Sequence, residues 1–378
     1  MLCGAAIHSV QIHLKRDHPE VTIEQYSEKF PEAPLLSEFA QRNLKAIREK
    51  EKASEGATIA AATAPAGLVS LTKEPLHEVF KLGKVKAALS PKGDPIPITV
   101  LSRGPDADMI PNVNDAYVFE IEDLKNSILA MELGMPLYVW GMHGSGKTEL
   151  IEQIGARTNR PVMRVQHSAN TEESHIVGQW TVKNGSTVWE NGPLPLAMIH
   201  GWLYLADEYD FANAAVLAVY QAVLEGKSLV IKEADAANRV IKPHPNFRFV
   251  ATGNTNGSGD ETGLYQGTNI QNSANYDRFG VTINKRYMSA AQEMLILQNT
   301  VGLVKEDAEK MVKFGNLVRD AYAASQISST ISPRSLINAA KLGVKRASFR
   351  IGVTLAFINK LNRIDKETVD GIAQRIFS

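Results

Sequence analysis

Four apolar residues, Leu137-Tyr138-Val139-Trp140, run directly into Gly141-Met142-His143-Gly144-Ser145-Gly146-Lys147-Thr148, and a helical pattern over 147–158 follows. This is the GxxxxGK[ST] spacing in the strand, loop and helix context that gives it meaning. Glycines let the backbone turn successive N–H groups inward as a nest for phosphate oxygens, and the following helix presents its positive end to the same place. Lys147 would reach the β- and γ-phosphates, and Thr148 would ligate Mg2+. The competing reading is an ordinary Gly-rich turn between a strand and a helix, and the correct flanking elements count against it.

A second stretch supplies acidic groups. The apolar run Trp202-Leu203-Tyr204-Leu205-Ala206 delivers Asp207 and Glu208 at its C-terminal end, where α/β sheets put their ligands. Asp207 would hold Mg2+ through water, and Glu208 would polarise an attacking water as general base. A third strand, 247–252, ends at Gly253-Asn254-Thr255-Asn256. A strand-end amide beside the nucleotide loop can orient that water. Asn254 is the first choice, with Thr252 or Asn256 as shifts in register and a turn-forming Asn-Gly cluster as the bland alternative.

The elements around these stretches alternate: strands at Leu137–Trp140, 162–165, 202–206 and 247–252, with helices at 147–158 and 212–225. Alternation of this kind implies an α/β fold with a mostly parallel sheet covered by helices. Before it, Asp123 is placed to cap a helix carrying Leu124, Ile128, Leu129 and Leu133, which Gly134 and Pro136 stop. After Tyr287 strand signals vanish, and 289–299, 305–325, 333–347, 350–361 and 366–377 read as helices. The expected organisation is therefore a small N-terminal segment at 1–40, a charged helix and flexible linker at 41–73 and an irregular lead-in at 74–116 with a short strand near 98–101. The nucleotide-binding α/β domain follows at 117–287, and an all-α lid at 288–378.

Two inserts interrupt the alternation. In 176–192, apolar alternation on both sides of Asn184-Gly185 is a strong hairpin signal. Trp180 and Trp189 on it are either a cross-strand pair or a substrate contact. Residues 227–242 read as a second hairpin. The Gly-rich loop 257–267 carries Asp260 and Glu261, read as solvated carboxylates in preference to partner or metal contacts.

Six stretches in this order carry a family resemblance: the phosphate loop, GWLYLADEYD at 201–210, PHPNFRFVATGNT at 243–255, GSGDETGLYQGT at 257–268, NYDRF at 275–279 and ISPRSL at 331–336. Over roughly residues 75–378 the chain resembles AAA+ ATPases of the MoxR branch, and within it the CobS-like ATPase subunits of aerobic cobaltochelatase. The resemblance implies ATP hydrolysis in an oligomeric ring, a hexamer by expectation, that remodels or activates a partner protein, a von Willebrand A-type protein being the leading expectation. It also implies that Arg278 is an arginine finger reaching a neighbouring subunit's γ-phosphate and that Arg334 is the sensor-2 arginine, with Arg286 a spare for either role. Chelation itself does not follow, because it needs a large catalytic subunit that this chain does not contain.

The N-terminal segment has its own signal. Cys3, His13 and His18 fall at spacings usable by tetrahedral Zn2+. With TIEQYSEKFPEAPL they resemble a Ros/MucR-type zinc finger, whose first cysteine would precede Met1. Either the chain start is misplaced, or His8 or the N-terminal amine stands in for the missing ligand, or the finger is vestigial.

Charge refines the partner expectations. Lys and Arg number 41, as do Asp and Glu, so the chain is formally neutral. Residues 285–378 hold 15 basic and 8 acidic side chains, a balance of +7, which leaves −7 for residues 1–284. A basic lid beside a more acidic core suits packing of copy against copy. A nucleic-acid-binding motor guided by the finger is the alternative, but the basic residues are spread over several helices without interleaved aromatics. With a single cysteine and no apolar run of ~18 residues, the expected setting is the cytoplasm, with no membrane contact.

Overall fold

The computed structural model describes residues 69–83, 85–261 and 263–378, together with 21–31, 33 and the separate positions 10 and 14. The chain divides into two compact units, 1–67 and 68–378. In the first, a short helix spans Ile23–Lys29. Thr22 and Gln25 close a reciprocal capping box at its start, and the rings of Tyr26 and Phe30 lie 5.2 Å apart. Cys3, His13 and His18 lie outside the described residues, as do His8 and the charged helix expected at 41–52.

The second unit begins with two antiparallel strands, β1 (Leu71–Pro75) and β2 (Pro97–Leu101), with Leu71 opposite Leu101. The lead-in is thus more regular than its prolines suggest, and the boundary drawn between residues 73 and 74 falls inside β1. Helix α1 (Ile121–Glu132) starts from Glu120, not Asp123. Asp123 lies within the first turn, where its carboxylate instead accepts a 3.0 Å hydrogen bond from the buried Lys285 ammonium. Leu124 and Ile128 are buried as their spacing requires, whereas Leu129 and Leu133 are exposed.

The central sheet is built from β3 (Leu137–Trp140), which leads through the phosphate loop into α2 (Lys147–Arg157), and then β4 (Val162–Gln166). The first insert follows as a hairpin of β5 (Gly178–Lys183) and β6 (Ser186–Asn191). Then come α3 (Pro193–His200), β7 (Leu203–Asp207), the short pair β8 (Leu229–Val230) and β9 (Val240–Ile241), β10 (Arg248–Gly253) and β11 (Val281–Asn284). Five strands pair in the order β11-β3-β10-β7-β4, all parallel. Alternate residues face opposite layers, as the pleat demands. Leu137, Val139, Leu203, Leu205, Val250 and Ile283 pack toward α1 and α2, whereas Tyr138, Tyr204, Ala206, Phe249 and Ala251 pack toward α3. Both faces being covered explains the nearly continuous apolar runs in the sequence.

Between β7 and β8 the expected single helix at 212–225 is broken. Ala214–Leu217 and Gln221–Leu224 are helical, with a tighter 3-10 turn at Ala218–Tyr220 between them. The break coincides with Tyr220, whose buried hydroxyl meets His167 Nε2 at 2.8 Å and the Tyr204 hydroxyl at 2.9 Å.

In the first insert, Asn184 and Gly185 both take positive φ, 53° and 79°, as a tight hairpin turn of this hand requires. Trp180 lies directly opposite Trp189 with ring centroids 5.7 Å apart, and its indole N–H donates to Glu233 O at 2.8 Å. The cross-strand pair is therefore real, and it also seats one insert on the other. The second insert is mostly loop, because Asp235 accepts from the amides of Ala237 and Asn238 and turns the chain early.

The C-terminal helices are α4 (Ala290–Val301), α5 (Lys305–Ala323), α6 (Pro333–Lys345), α7 (Phe349–Ala356) and α8 (Arg363–Phe377). They bury a core of their own, including Met311, Phe314, Leu336, Val353 and Val369. A buried ion pair, Arg319 with both carboxylate oxygens of Glu293 at 2.8 Å, joins α4 to α5, and Arg319 also donates to Ile331 O just before α6. Among the described residues no helix is long and apolar enough to cross a membrane.

Candidate functional site

The parallel register brings the C-terminal ends of the strands to one edge: Trp140 pairs with Gly253 and Asn284, and Gln166 pairs with Asp207. A cavity of about 470 Å³ opens there, and Gly144, Gly146, Lys147, Thr148, Asp207, Glu208, Asn254 and Arg334 all line it. Residues separated by nearly two hundred positions in sequence thus share one pocket.

The phosphate loop has the backbone its glycines promise. Gly141, Gly144 and Gly146 have φ of +149°, +70° and +83°, and Gly146 heads α2. Gly144 faces the start of α6 so closely that an added Cβ would lie 2.7 Å from Ser332 Cβ. The loop therefore serves as the seat for the helix that carries Arg334. Ser145 is buried, and its hydroxyl has no partner among the described residues.

Lys147 Nζ donates to Gly141 O at 2.6 Å, Met142 O at 3.1 Å and Asn254 Oδ1 at 3.0 Å. Burial draws its pKa down to about 8, against the opposing pull of Asp210, Asp207 and Glu208. An ammonium desolvated in this way, at the mouth of a helix N-terminus, is suited to a multiply charged anion.

Asp207 is held from both sides. Thr148 Oγ1 donates to its Oδ1 at 2.8 Å, the Thr252 hydroxyl donates to the same oxygen, and Arg164 grips Oδ2 through Nε at 2.9 Å and Nη2 at 2.6 Å. Burial alone would raise the Asp207 pKa, but these hydrogen bonds and the Arg164 charge outweigh it and keep the carboxyl below its ordinary value. An ionised carboxylate next to a threonine hydroxyl at the end of the phosphate loop is the hard-oxygen donor set that Mg2+ takes. The residues present therefore fit that ion.

Glu208, one residue on, has φ +54° and ψ 40°, the left-handed region that glutamate rarely adopts. This backbone turns its carboxylate into the cavity, where Gln166 Nε2 donates to it at 2.7 Å. Of the three candidates for orienting the water, Asn254 and the alternative Thr252 line the cavity, whereas Asn256 spends its side chain on a turn to Ser258 N.

Arg278 is not among the lining residues. Its guanidinium donates to Glu225 Oε1 at 2.7 Å and to Ala274 O at 2.5 Å. Arg286 is exposed and also away from the cavity. Asp260 spends a carboxylate oxygen on Tyr265 N at 2.8 Å, a role within its loop, and Glu261 is exposed. Among the described residues no group of three or more His, Cys, Asp or Glu side chains could hold a further metal.

Four residues escape sequence reasoning. Arg164 and Gln166 alternate along β4 and reach Asp207 and Glu208 on the neighbouring strand; i, i+2 polar residues ending a strand beside the acidic pair were the available signal. Asp210, fully buried, accepts from Asn254 N, Thr255 N and Thr255 Oγ1 at 2.8–2.9 Å and so fixes the end of β10. Tyr265, in the loop after β10, lies on the phosphate loop itself, and no periodicity points to it.

A phosphate loop on β3, paired carboxylates on β7 and a polar strand end on β10 define the site of a P-loop nucleotide hydrolase. The family described as AAA domain (dynein-related subfamily) matches residues 136–279, and CbbQ/NirQ/NorQ C-terminal matches 293–377. The aerobic cobaltochelatase subunit CobS of a Sinorhizobium species is 33% identical over 279 residues, 71% of this chain and 83% of that protein. Protein NorQ of Paracoccus denitrificans is 24% identical over 227 residues, 60% and 80% of the two chains. The von Willebrand factor A domain-containing protein 8 of Mus musculus is 30% identical over 163 residues, 40% of this chain and 8% of the mouse protein. The chain belongs to the AAA+ ATPases, in the MoxR branch with CobS, and it hydrolyses ATP.

Proposed function

We propose that the chain works as an oligomeric ring, a hexamer, that spends ATP to remodel or activate a partner protein. In this reading Lys147 and the loop amides bind the triphosphate, and Thr148 and Asp207 would hold Mg2+, which would supply positive charge against the phosphates. Glu208 takes a proton from the attacking water, Asn254 orients that water, and Arg334 stabilises charge on the terminal phosphate. Arg164 keeps Asp207 ionised, and Gln166 holds Glu208 toward the cavity.

The observation that carries the ring is the division of the arginines. Arg334 lines the cavity of its own subunit, whereas Arg278 is turned to Glu225 outside it. An arginine finger supplied by a neighbour would complete the site and make hydrolysis depend on assembly, an effect on the order of 10³–10⁵ in rate. Likeness to CobS and to a protein with a von Willebrand A domain supports a von Willebrand A-type partner. The +7 balance of residues 285–378 against −7 for the rest favours copy-to-copy packing.

Mixing Arg278→Ala with Lys147→Ala subunits tests the ring. Each variant alone should be inactive, and mixtures should regain part of the turnover through sites that pair an intact loop with an intact finger. Mixtures as inactive as their components would refute catalysis across the subunit boundary. Affinity capture with Glu208→Gln and ATP should then retain the partner, and ATP-independent capture would refute the motor reading.

A further inference from the structure

The segment between β10 and β11 contributes Leu264 and Tyr265 to the lining of the nucleotide cavity. The segment is braced. At its start Asp210 holds Asn254 N and Thr255 N; at its end Asp210 O accepts Asn269 N at 2.7 Å, and Asn269 Nδ2 donates to Phe211 O and Ala212 O. Within it, Tyr265 N donates to Asp260, while Tyr265 O accepts from both the amide and the hydroxyl of Thr268. The tyrosine backbone is therefore fixed, and the residue is only 8% exposed.

The Tyr265 hydroxyl lies directly on the phosphate loop. It accepts the His143 backbone N–H at 2.9 Å, and His143 Nδ1 lies 3.3 Å from it. The next carbonyls back along the loop, Met142 O and Gly141 O, receive Lys147 Nζ. The hydroxyl thus sits at the end of the loop that Lys147 reaches, the end assigned to the terminal phosphate. Having accepted an amide, it keeps one proton to give. His143 Nδ1 is its one nearby protein acceptor among the described residues, at the outer limit of hydrogen-bond length.

We propose that Tyr265 is a terminal-phosphate contact: its hydroxyl donates to an oxygen of the γ-phosphate of ATP and has no counterpart oxygen in ADP. The strap from Asn254 to Asn269 thereby distinguishes the two nucleotides. Further along the chain it leads into the helix Ser273–Tyr276 and Arg278. This inference rests on the nucleotide reading of the cavity, and the controls separate the two.

Binding of the β,γ-imido analogue of ATP and of ADP is measured by calorimetry on the full chain and on Tyr265→Phe, which keeps the ring packed on His143 but removes the hydroxyl and with it the bond from the His143 backbone N–H, a loss that ADP binding reads by itself. Loss of a hydrogen bond to a charged group should weaken the analogue about ten- to hundredfold, with ADP affinity changed by less than about twofold. Equal losses for both nucleotides would assign Tyr265 to loop packing alone, and unchanged affinity for both would remove it from the site; either result overturns the proposal. Lys147→Ala should lose both nucleotides, and if it binds them undiminished the nucleotide reading fails, whatever Tyr265 does. In the unsubstituted chain, chymotryptic cleavage after Tyr265 should be slower with the analogue than with ADP, and equal protection by the two would also overturn the proposal.

Discussion

The left-handed backbone at Glu208 gives a prediction in which activity and stability move in opposite directions. At φ +54° an L-residue other than Asn, Asp or Gly pays roughly 1–2 kcal/mol. The position persists because β7 is fully buried up to Asp207 and Tyr209 is buried beyond it, so the surroundings fix the turn. Three substitutions separate the contributions. Glu208→Gln keeps the strain and the reach to Gln166 but removes the base, so turnover should fall by about 10²–10⁴ with little change in melting temperature. Glu208→Ala and Glu208→Asn both remove the base and the Gln166 contact, which is partly exposed and worth about 0.5–1 kcal/mol. They differ in that asparagine accepts the left-handed conformation and alanine does not. The asparagine variant should therefore be more stable than the alanine variant by about 1 kcal/mol, or about 1–3 °C for a unit of this size. Nucleotide-free thermal unfolding by circular dichroism reads the difference, and a coupled phosphate assay reads turnover. Equal melting temperatures for alanine and asparagine would refute the strain argument, and undiminished turnover in the glutamine variant would refute the role of Glu208.

Three further outcomes follow from the same geometry. Gly144→Ala forces a Cβ into Ser332 at a residue of φ +70°, so it should weaken ATP binding by at least about tenfold; calorimetry showing native affinity would mean that loop and lid are not in register through this contact. Lys147 loses its proton in the free protein near pH 8, and phosphate binds the protonated form, so ATP affinity should be level below pH 7.5 and fall by up to about tenfold per pH unit above pH 8; affinity level to pH 9.5 would contradict the lowered pKa. Arg319→Met leaves the buried Glu293 carboxylate without its cation, which should cost about 3–5 kcal/mol in urea unfolding and be largely recovered by adding Glu293→Leu; a single-variant loss under about 1 kcal/mol would show that the pair contributes little.

Legibility in the sequence followed the range of the interactions. The phosphate loop, the Asp207-Glu208 strand end and the β5–β6 hairpin were readable because each is fixed by neighbours a few residues away: glycines that take positive φ, an apolar run, an Asn-Gly turn. Arg164 and Gln166 were hidden inside a five-residue strand whose importance depends on pairing with β7, about forty positions later. Tyr265 meets His143 across 122 positions, a distance at which no local pattern survives. Asp123 shows the same force acting on an otherwise sound rule, because Lys285, 162 residues away, takes the carboxylate that helix capping would have used. The break at Tyr220 is likewise tertiary: a polar network with His167 and Tyr204 overrides a helical pattern.

Asp210 joins two parts of the molecule that could otherwise vary independently. Its carboxylate sets where β10 ends and its carbonyl sets where the following loop returns, so one residue ties the strand end that carries Asn254 to the loop that carries Tyr265. Burial raises its pKa despite the hydrogen bonds from Thr255 and Asn254, so the position carries an electrostatic penalty that an amide would avoid. Replacing it would remove the hydrogen bonds at the strand end and disturb the one at the loop's return, because both spring from one residue. A single substitution at Asp210 therefore affects two walls of the nucleotide cavity, whereas one in either hairpin insert leaves both in place.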